Sequence, residues 1–314
     1  MEIVILESLG ISQDELAKRI APFEAQGHRF RIYERTTDTA ALTEELRTAD
    51  VAILANMPLP GEVIEAAPQL RFINIAFTGV DHVAVGTAKQ RGMIVSNASG
   101  YSDQAVAELT IGMALSLYRR LPQVELRARE GKTKDGLIGF EIKGKTVGII
   151  GYGRIGQRSA GLFSAFGAEL LIHTRSRVEA IPAGARQVEL DELLQQSDIV
   201  VLHCPLTDQT RGMINAKKLR LMKPSAILIN VARGPVVVAA DLAQALDEGV
   251  IAGAGIDVFD VEPPLPLEEP LLYPKNSIIT PHVAFATNES MLLRADIVFE
   301  NLAAWLKGEP QNVV

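Results

Sequence analysis

The sequence predicts an α/β protein with two parallel sheets in two domains, and three observations carry that reading. Short β-branched runs alternate with helical patterns from the first residues onward, the strand candidates are near-continuous in apolar residues, and the series restarts after a polar, glycine-containing stretch at 129–139. Strands buried on both faces read as continuous apolar runs, and helical crossovers between them make a sheet parallel. At 314 residues the chain exceeds one ordinary core and suits two domains of roughly 100–200 residues each.

Taken in order, the first series places strands at 3–6, 30–33, 51–54, 72–76 and 93–96, with helices in the gaps. The pattern breaks at Asn97-Ala98-Ser99-Gly100-Tyr101. A long helix then runs from Ser102 or Asp103 to about Arg120, with Ser102 as a plausible N-cap and two arginines at the C-terminal dipole before Pro122. The second series places strands at 146–150, 170–173, 199–202, 226–230, 255–258 and 278–280, and 289–307 reads as one closing helix packed down by Trp305.

Composition narrows the function classes. The chain carries 47% hydrophobic and 22% charged residues without a biased tract, which is a globular composition. A net charge of −7 argues against nucleic-acid or anionic-membrane attachment, since both need basic surface. The single cysteine, Cys204, permits no internal disulfide and makes a cysteine-based metal site unexpected. The histidines form no recognisable ligand set, so no metal is expected. Cys204 reads as a small buried side chain without a catalytic role. The start, Met1-Glu2-Ile3-Val4, reads as a strand rather than a signal peptide, no run reaches the length of a membrane span, and a reducing cytoplasm is the expected setting.

The most specific local signal is Gly151-Tyr152-Gly153-Arg154-Ile155-Gly156. A G-x-G-x-x-G pattern is informative only where a strand precedes it and a helix follows. Here 146–150 supplies the strand and 157–166 the helix, which ends at Gly167. In that context Gly151 permits the tight turn, Gly153 lets backbone approach a pyrophosphate, and Gly156 lets helix and strand pack closely. The expectation is a Rossmann-type dinucleotide-binding domain, with phosphate charge at the helix N-terminus.

An acid about 20 residues beyond the turn normally holds the ribose hydroxyls of NAD, whereas arginine accommodates the 2′-phosphate of NADP. That acid is missing: the second strand ends in His173-Thr174-Arg175-Ser176-Arg177, and Thr174 lies 18 positions past Gly156. Two guanidinium groups and two hydroxyls complement a phosphate dianion. NADP(H) is therefore the expected cofactor, with NAD(H) as the alternative.

Arg233, Glu262 and His282 each follow a later strand, on the side where open α/β sheets bind ligands. Singly, each has an ordinary structural reading; together on one edge they suggest chemistry.

At this point the sequence resembles the D-isomer-specific 2-hydroxyacid dehydrogenases, which include glyoxylate/hydroxypyruvate reductases and D-lactate and D-3-phosphoglycerate dehydrogenases. The resemblance spans essentially the whole chain. It rests on the run 144–156, His203-Cys204-Pro205-Leu206-Thr207, Asn230-Val231-Ala232-Arg233-Gly234, Gly255-Ile256-Asp257-Val258-Phe259, Glu262-Pro263 and Thr280-Pro281-His282-Val283-Ala284.

The resemblance implies a cofactor domain at 101–286 inserted into a smaller flavodoxin-like substrate domain formed by 1–100 and 287–314. It implies that His282 protonates the substrate carbonyl oxygen as hydride arrives, that Glu262 pairs with His282, and that Arg233 binds the substrate carboxylate. It assigns further contacts with that carboxylate to Thr78 and Gly79, the nicotinamide carboxamide to Asp257, and cofactor-lining positions to Val106, Pro205, Ala232 and Arg233. A small 2-keto or 2-hydroxy acid substrate, a homodimer and a water-excluding closure between domains are likewise implied. Asn56, Met57, Leu59, Phe77 and Tyr101 are candidates for the side-chain pocket.

Three departures stand out: Thr174 replaces the family's acid, Ser99 stands where proline is frequent, and 129–139 lacks the usual tryptophan. The reading is thus an NADPH-preferring reductase of small 2-keto acids yielding D-2-hydroxy acids. A rival reading keeps the fold as a dinucleotide-sensing regulatory protein; the complete set Arg233, Glu262 and His282 argues against it.

Overall fold

The computed structural model describes residues 1–178 and 180–314, and these divide into two compact units. Unit 1 comprises Met1–Ser102 with Ala286–Val314, and unit 2 is Asp103–Phe285.

Unit 1 alternates strand and helix: β1 (Glu2–Ile5), α1 (Gln13–Glu24), β2 (Arg29–Ile32), α2 (Thr39–Leu46), β3 (Val51–Leu54), α3 (Gly61–Glu65), β4 (Phe72–Ile75), α4 (Val85–Gln90) and β5 (Ile94–Asn97). Its strands form one parallel sheet in the order β2-β1-β3-β4-β5. That is the flavodoxin-like order, in which the chain reverses direction across the sheet between β1 and β3. Strands β3 and β4 are buried at every position; β3 is apolar throughout, and β4 is interrupted only by the buried Asn74.

Unit 2 opens with α5 (Asp103–Tyr118) and α6 (Leu121–Arg129), followed by β6 (Thr146–Ile150), α7 (Arg154–Ala165), β7 (Glu169–His173), β8 (Arg186–Gln187), α8 (Leu190–Gln196), β9 (Ile199–Leu202), α9 (Ala216–Leu219), β10 (Ile227–Asn230), α10 (Ala239–Asp247), β11 (Gly253–Ile256) and β12 (Ser277–Ile279). Its parallel sheet runs β12-β11-β10-β9-β6-β7-β8, with the topological switch between β6 and β9. Apolar clusters cover both faces, one including Phe163 and Met113 from α7 and α5, the other Leu193 and Leu242 from α8 and α10.

The last helix, α11 (Asn288–Leu306), belongs to unit 1. It starts on a capping box between Thr287 and Ser290, and Trp305 stacks on Phe72 at 5.0 Å. Buried asparagines fasten it: Asn74 Nδ2 donates to the Val298 carbonyl (2.8 Å), and Asn301 Nδ2 to the Asn97 carbonyl (3.0 Å).

Several local expectations need correction. The helix after Tyr118 resumes at Leu121 with Pro122 in its first turn, where a missing N–H costs nothing; Arg120 takes φ 51° between the two helices instead of ending the first. Helix α7 begins at Arg154, three residues before the expected start, because a glycine-rich turn leads straight into it. Strand β11 lies two residues earlier than expected. The two-residue β8 had no apolar run to announce it. Among the described residues, no helix is long and apolar enough to cross a membrane.

Candidate active site

The glycine turn joins β6 to α7 at the switch point of the larger sheet. Gly151 has φ +93°, and a Cβ there would lie 2.5 Å from the Cys204 amide nitrogen; a Cβ on Gly156 would lie 2.2 Å from the Gly151 carbonyl. Both glycines are therefore dictated by backbone packing. Gly153 differs: it is the N-cap of α7, makes no side-chain cap, and a Cβ on it would meet nothing within 4 Å. The first N–H groups of α7 have no side-chain cap, and the absent Gly153 side chain leaves room beside them, as an anionic pyrophosphate requires. On this evidence the turn fits a dinucleotide. Ile155 is half-buried beneath it, whereas Arg154 is exposed and its Nε donates to Asp103 Oδ2 at 2.6 Å. Val106 and Ala232 are buried and Pro205 is exposed.

Thr174, Arg175 and Arg177 line a cavity of about 830 Å³ whose other wall carries Gln187, Val188 and Glu189. Arg175, Ser176 and Arg177 are exposed, and neither arginine has an ion-pair partner among the described residues. His173 Nδ1 lies 3.1 Å from the Val188 carbonyl, which tethers the ring to the base of the loop.

The catalytic candidates sit beyond β10, β11 and β12. Arg233 follows β10 in extended conformation, and its Nη1 donates to the Ala232 carbonyl at 2.8 Å. The next residue must be glycine, since a Cβ on Gly234 would fall 2.0 Å from the Phe259 carbonyl carbon. This close approach packs the Arg233 turn against the chain leading to Glu262.

Asp257, at the end of β11, is fully buried and organises the loop bearing His282. Its Oδ1 accepts the Thr280 hydroxyl (2.6 Å) and the Val283 N–H (2.8 Å), and its Oδ2 accepts the Ala284 N–H (2.9 Å). Burial pushes the Asp257 carboxyl above the usual aspartate range, although these bonds and His282 oppose the shift. A carboxylate has about four acceptor positions, so one is left for a further donor.

His282 has φ +56°, a left-handed conformation uncommon outside glycine, held by N–H donation to the carbonyls of Asp257 (2.8 Å) and Thr280 (3.0 Å). Its Nδ1 lies 2.8 Å from Glu262 Oε2 and 3.0 Å from Oε1, and the Phe285 ring meets it edge-on at 5.4 Å. With Nδ1 directed to the carboxylate, Nε2 is the nitrogen that can serve a substrate.

In unit 1, Thr78 and Gly79 follow β4, where Asn97 Nδ2 donates to the Thr78 carbonyl at 2.7 Å and the buried Thr78 hydroxyl has no hydrogen-bond partner among the described residues. Met57 and Leu59 are fully buried, and Phe77 and Tyr101 nearly so, with rings 6.1 Å apart. Asn56 Oδ1 accepts from Arg35 at 2.6 Å. Cys204 is buried, which pushes its thiol up to about 11. Among the described residues no group of three or more His, Cys, Asp or Glu could hold a metal. Sequence reasoning missed Gln187, Glu189 and the ring contact of Phe285; only Phe285, beside the histidine motif, left a trace to follow.

Fold and site together define a nicotinamide-dinucleotide oxidoreductase of the doubly wound α/β class. Residues 111–284 match the family model "D-isomer specific 2-hydroxyacid dehydrogenase, NAD binding domain". A hydroxypyruvate reductase from Blautia hydrogenotrophica is 37% identical over 100% of this chain and 99% of its own. An NADPH-dependent glyoxylate/hydroxypyruvate reductase from Sinorhizobium meliloti, solved with NADP and malonate, superposes with a TM-score of 0.86 at 33% identity, covering 100% of this chain and 96% of that one. A D-lactate dehydrogenase from Aquifex aeolicus, solved with NAD and lactic acid, gives 0.89 at 29% identity, covering 98% and 96%. The chain belongs to the D-isomer-specific 2-hydroxyacid dehydrogenase family, as an NAD(P)-dependent enzyme.

Proposed function

We propose that the protein reduces small 2-keto acids to D-2-hydroxy acids and prefers NADPH, with Arg233, Glu262 and His282 as its catalytic residues. The observation that carries the chemistry is the 2.8 Å contact between His282 Nδ1 and Glu262, on a loop ordered by buried Asp257. With Nδ1 held by the carboxylate, Nε2 is the nitrogen placed to pass a proton to the substrate oxygen.

Arg233 binds the substrate carboxylate and polarises the keto oxygen, fixing orientation and stabilising negative charge as it develops. On the family resemblance, Thr78 and Gly79 are the further substrate-binding positions. When bound, the reduced nicotinamide supplies the hydride to the carbonyl carbon. His282 delivers its proton to the oxygen and is reprotonated from solvent, while Glu262 offsets the ring's charge. Asp257 offers its remaining acceptor position to the carboxamide, and Val106, Pro205, Ala232 and Arg233 line the cofactor. The relatives named for hydroxypyruvate and glyoxylate reduction favour substrates of that size.

The preference for NADPH is supported by the open, cationic loop Thr174-Arg175-Ser176-Arg177 at the cavity wall. A homodimer, on the family resemblance, and a cytoplasmic setting, on the single cysteine, complete the proposal. The test is oxidation of NADPH and of NADH, followed at the nicotinamide absorbance, with a panel including glyoxylate, hydroxypyruvate and pyruvate. Turnover with at least one acid and a higher kcat/KM for NADPH is expected, and Thr174→Asp should move the preference toward NADH. Absence of oxidation with every acid would favour a sensing role; equal kcat/KM for both cofactors would remove the preference alone.

A further inference from the structure

We infer that Gln187 is a positioning residue for cofactor selectivity, a strut that holds the arginine loop in the shape that receives the adenosine 2′-phosphate. The inference rests on the NADPH reading above.

Gln187 lies on β8, paired with Ile172 of β7, and the following Val188 N–H donates to the Ile172 carbonyl at 2.9 Å. Its backbone is therefore fixed to the same strand from which the loop departs. From this anchor one side-chain amide reaches three alternate residues of the loop. Oε1 accepts the Val178 N–H (3.0 Å), and Nε2 donates to the carbonyls of Ser176 (2.9 Å) and, at longer range, Thr174 (3.4 Å).

The partners determine which end of the amide points where. One N–H and two carbonyls suit one acceptor and one NH2 group, and a flipped amide would set donor against donor and acceptor against acceptors. No other residue type supplies both ends at this length. Glutamate has no donor, and asparagine is shorter by one methylene.

The consequence for binding is pre-organisation. Three backbone polar groups of the loop are occupied by Gln187, while Arg175, Ser176 and Arg177 remain exposed. A loop already in its bound shape does not have to be ordered by the ligand, and the entropic cost avoided appears as affinity. Only a ligand that engages this loop gains, so the benefit belongs to the 2′-phosphorylated cofactor.

The experiment compares Gln187→Met, which keeps chain length and packing but has no amide, with the double variant Arg175→Ala/Arg177→Ala. KM for NADPH and for NADH is measured at saturating keto acid, with the melting temperature of each variant without cofactor. Gln187→Met is expected to raise the ratio of KM for NADPH to KM for NADH roughly tenfold, the loss of one or two net hydrogen bonds. The double variant should raise it further, and Gln187→Glu should fail to restore it. If the arginine variant changes the ratio and Gln187→Met does not, the strut is wrong and the phosphate site stands. If neither changes it, the phosphate site and the strut both fall. A Gln187→Met variant that raises both KM values equally, with a lower melting temperature, would make the contact merely structural and overturn the inference.

Discussion

The two sheets begin alike and end differently. In each, the strand after the second crossover is preceded by an aspartate whose carboxylate accepts an N–H from the first strand: Asp50 from Glu2 (2.8 Å) and Asp198 from Thr146 (2.9 Å). At the opposite ends of the same strands the resemblance stops. In unit 1 the chain after β1 presents buried Glu7, whose Oε1 accepts the N–H groups of Ala55 (2.7 Å) and Met57 (2.8 Å) beyond β3, and α1 is capped by Ser12. In unit 2 the chain after β6 presents glycines, and α7 has no side-chain cap. A switch point is therefore a place for a ligand only where the chain leaves its own donors unsatisfied. In unit 1 the chain's own carboxylate, Glu7, satisfies the N–H groups beyond β3.

The largest expected effect tests whether proton transfer belongs to the unit 2 edge. His282→Ala should lower kcat for keto-acid reduction by about 10²–10⁴, the range for a lost general acid, with the dissociation constant for NADPH within about twofold of the parent. Turnover at the parent rate would assign the proton to another group.

A smaller effect is expected from making unit 2 imitate unit 1. Gly153 has an ordinary φ of −77°, and its Cβ position is open, so Gly153→Asp should fold. Its carboxylate would cap α7 as Ser12 caps α1, stabilising the cofactor-free protein by a few tenths of a kcal/mol over glycine as a cap and by about 0.3–1 kcal/mol through the helix dipole. The same carboxylate would repel pyrophosphate, and NADPH affinity should fall by roughly a hundredfold, the size of about 2.7 kcal/mol of like-charge and steric cost. Calorimetric titration and thermal melting read the two halves separately. Unchanged NADPH affinity would mean that the open turn is not the phosphate site.

Much of this was legible in the sequence, and the limits have physical causes. The buried strands were readable because burial on both faces forces continuous apolar runs, and the glycine turn because backbone contact forbids any other residue at Gly151 and Gly156. The candidates Arg233, Glu262 and His282 were readable by position, but the left-handed backbone of His282 and the bonds that sustain it depend on Asp257, distant in sequence. Strand β8 was hidden because two exposed residues, Arg186 and Gln187, leave no hydrophobic pattern; its role lies in a polar side chain reaching back nine to thirteen positions. Helix α6 was hidden because it buries no residue and because Pro122, which reads as a helix stop, lies in its first turn.

The smallest expected effect probes the shared half of the comparison. Burial opposes the charge of Asp50 and Asp198, but the strand N–H with Arg71 in one case, and Lys223 with the strand N–H in the other, hold both carboxyls below the usual aspartate range. A group with a depressed folded-state pKa stabilises above its unfolded value, about 3.9, and loses that contribution as pH falls through the folded value. Asp50→Asn and Asp198→Asn should each cost about 1 kcal/mol at pH 7, one charged hydrogen bond tempered by partial exposure, and the gap to the parent should narrow toward pH 3. Urea unfolding at the two pH values measures it. Salt then separates the partners, because the cations, Arg71 exposed and Lys223 half-buried, are screened more than the strand N–H. A cost that survives 1 M salt in both variants assigns the common device to the strand N–H; one that vanishes in either would leave the two aspartates as unrelated surface ion pairs.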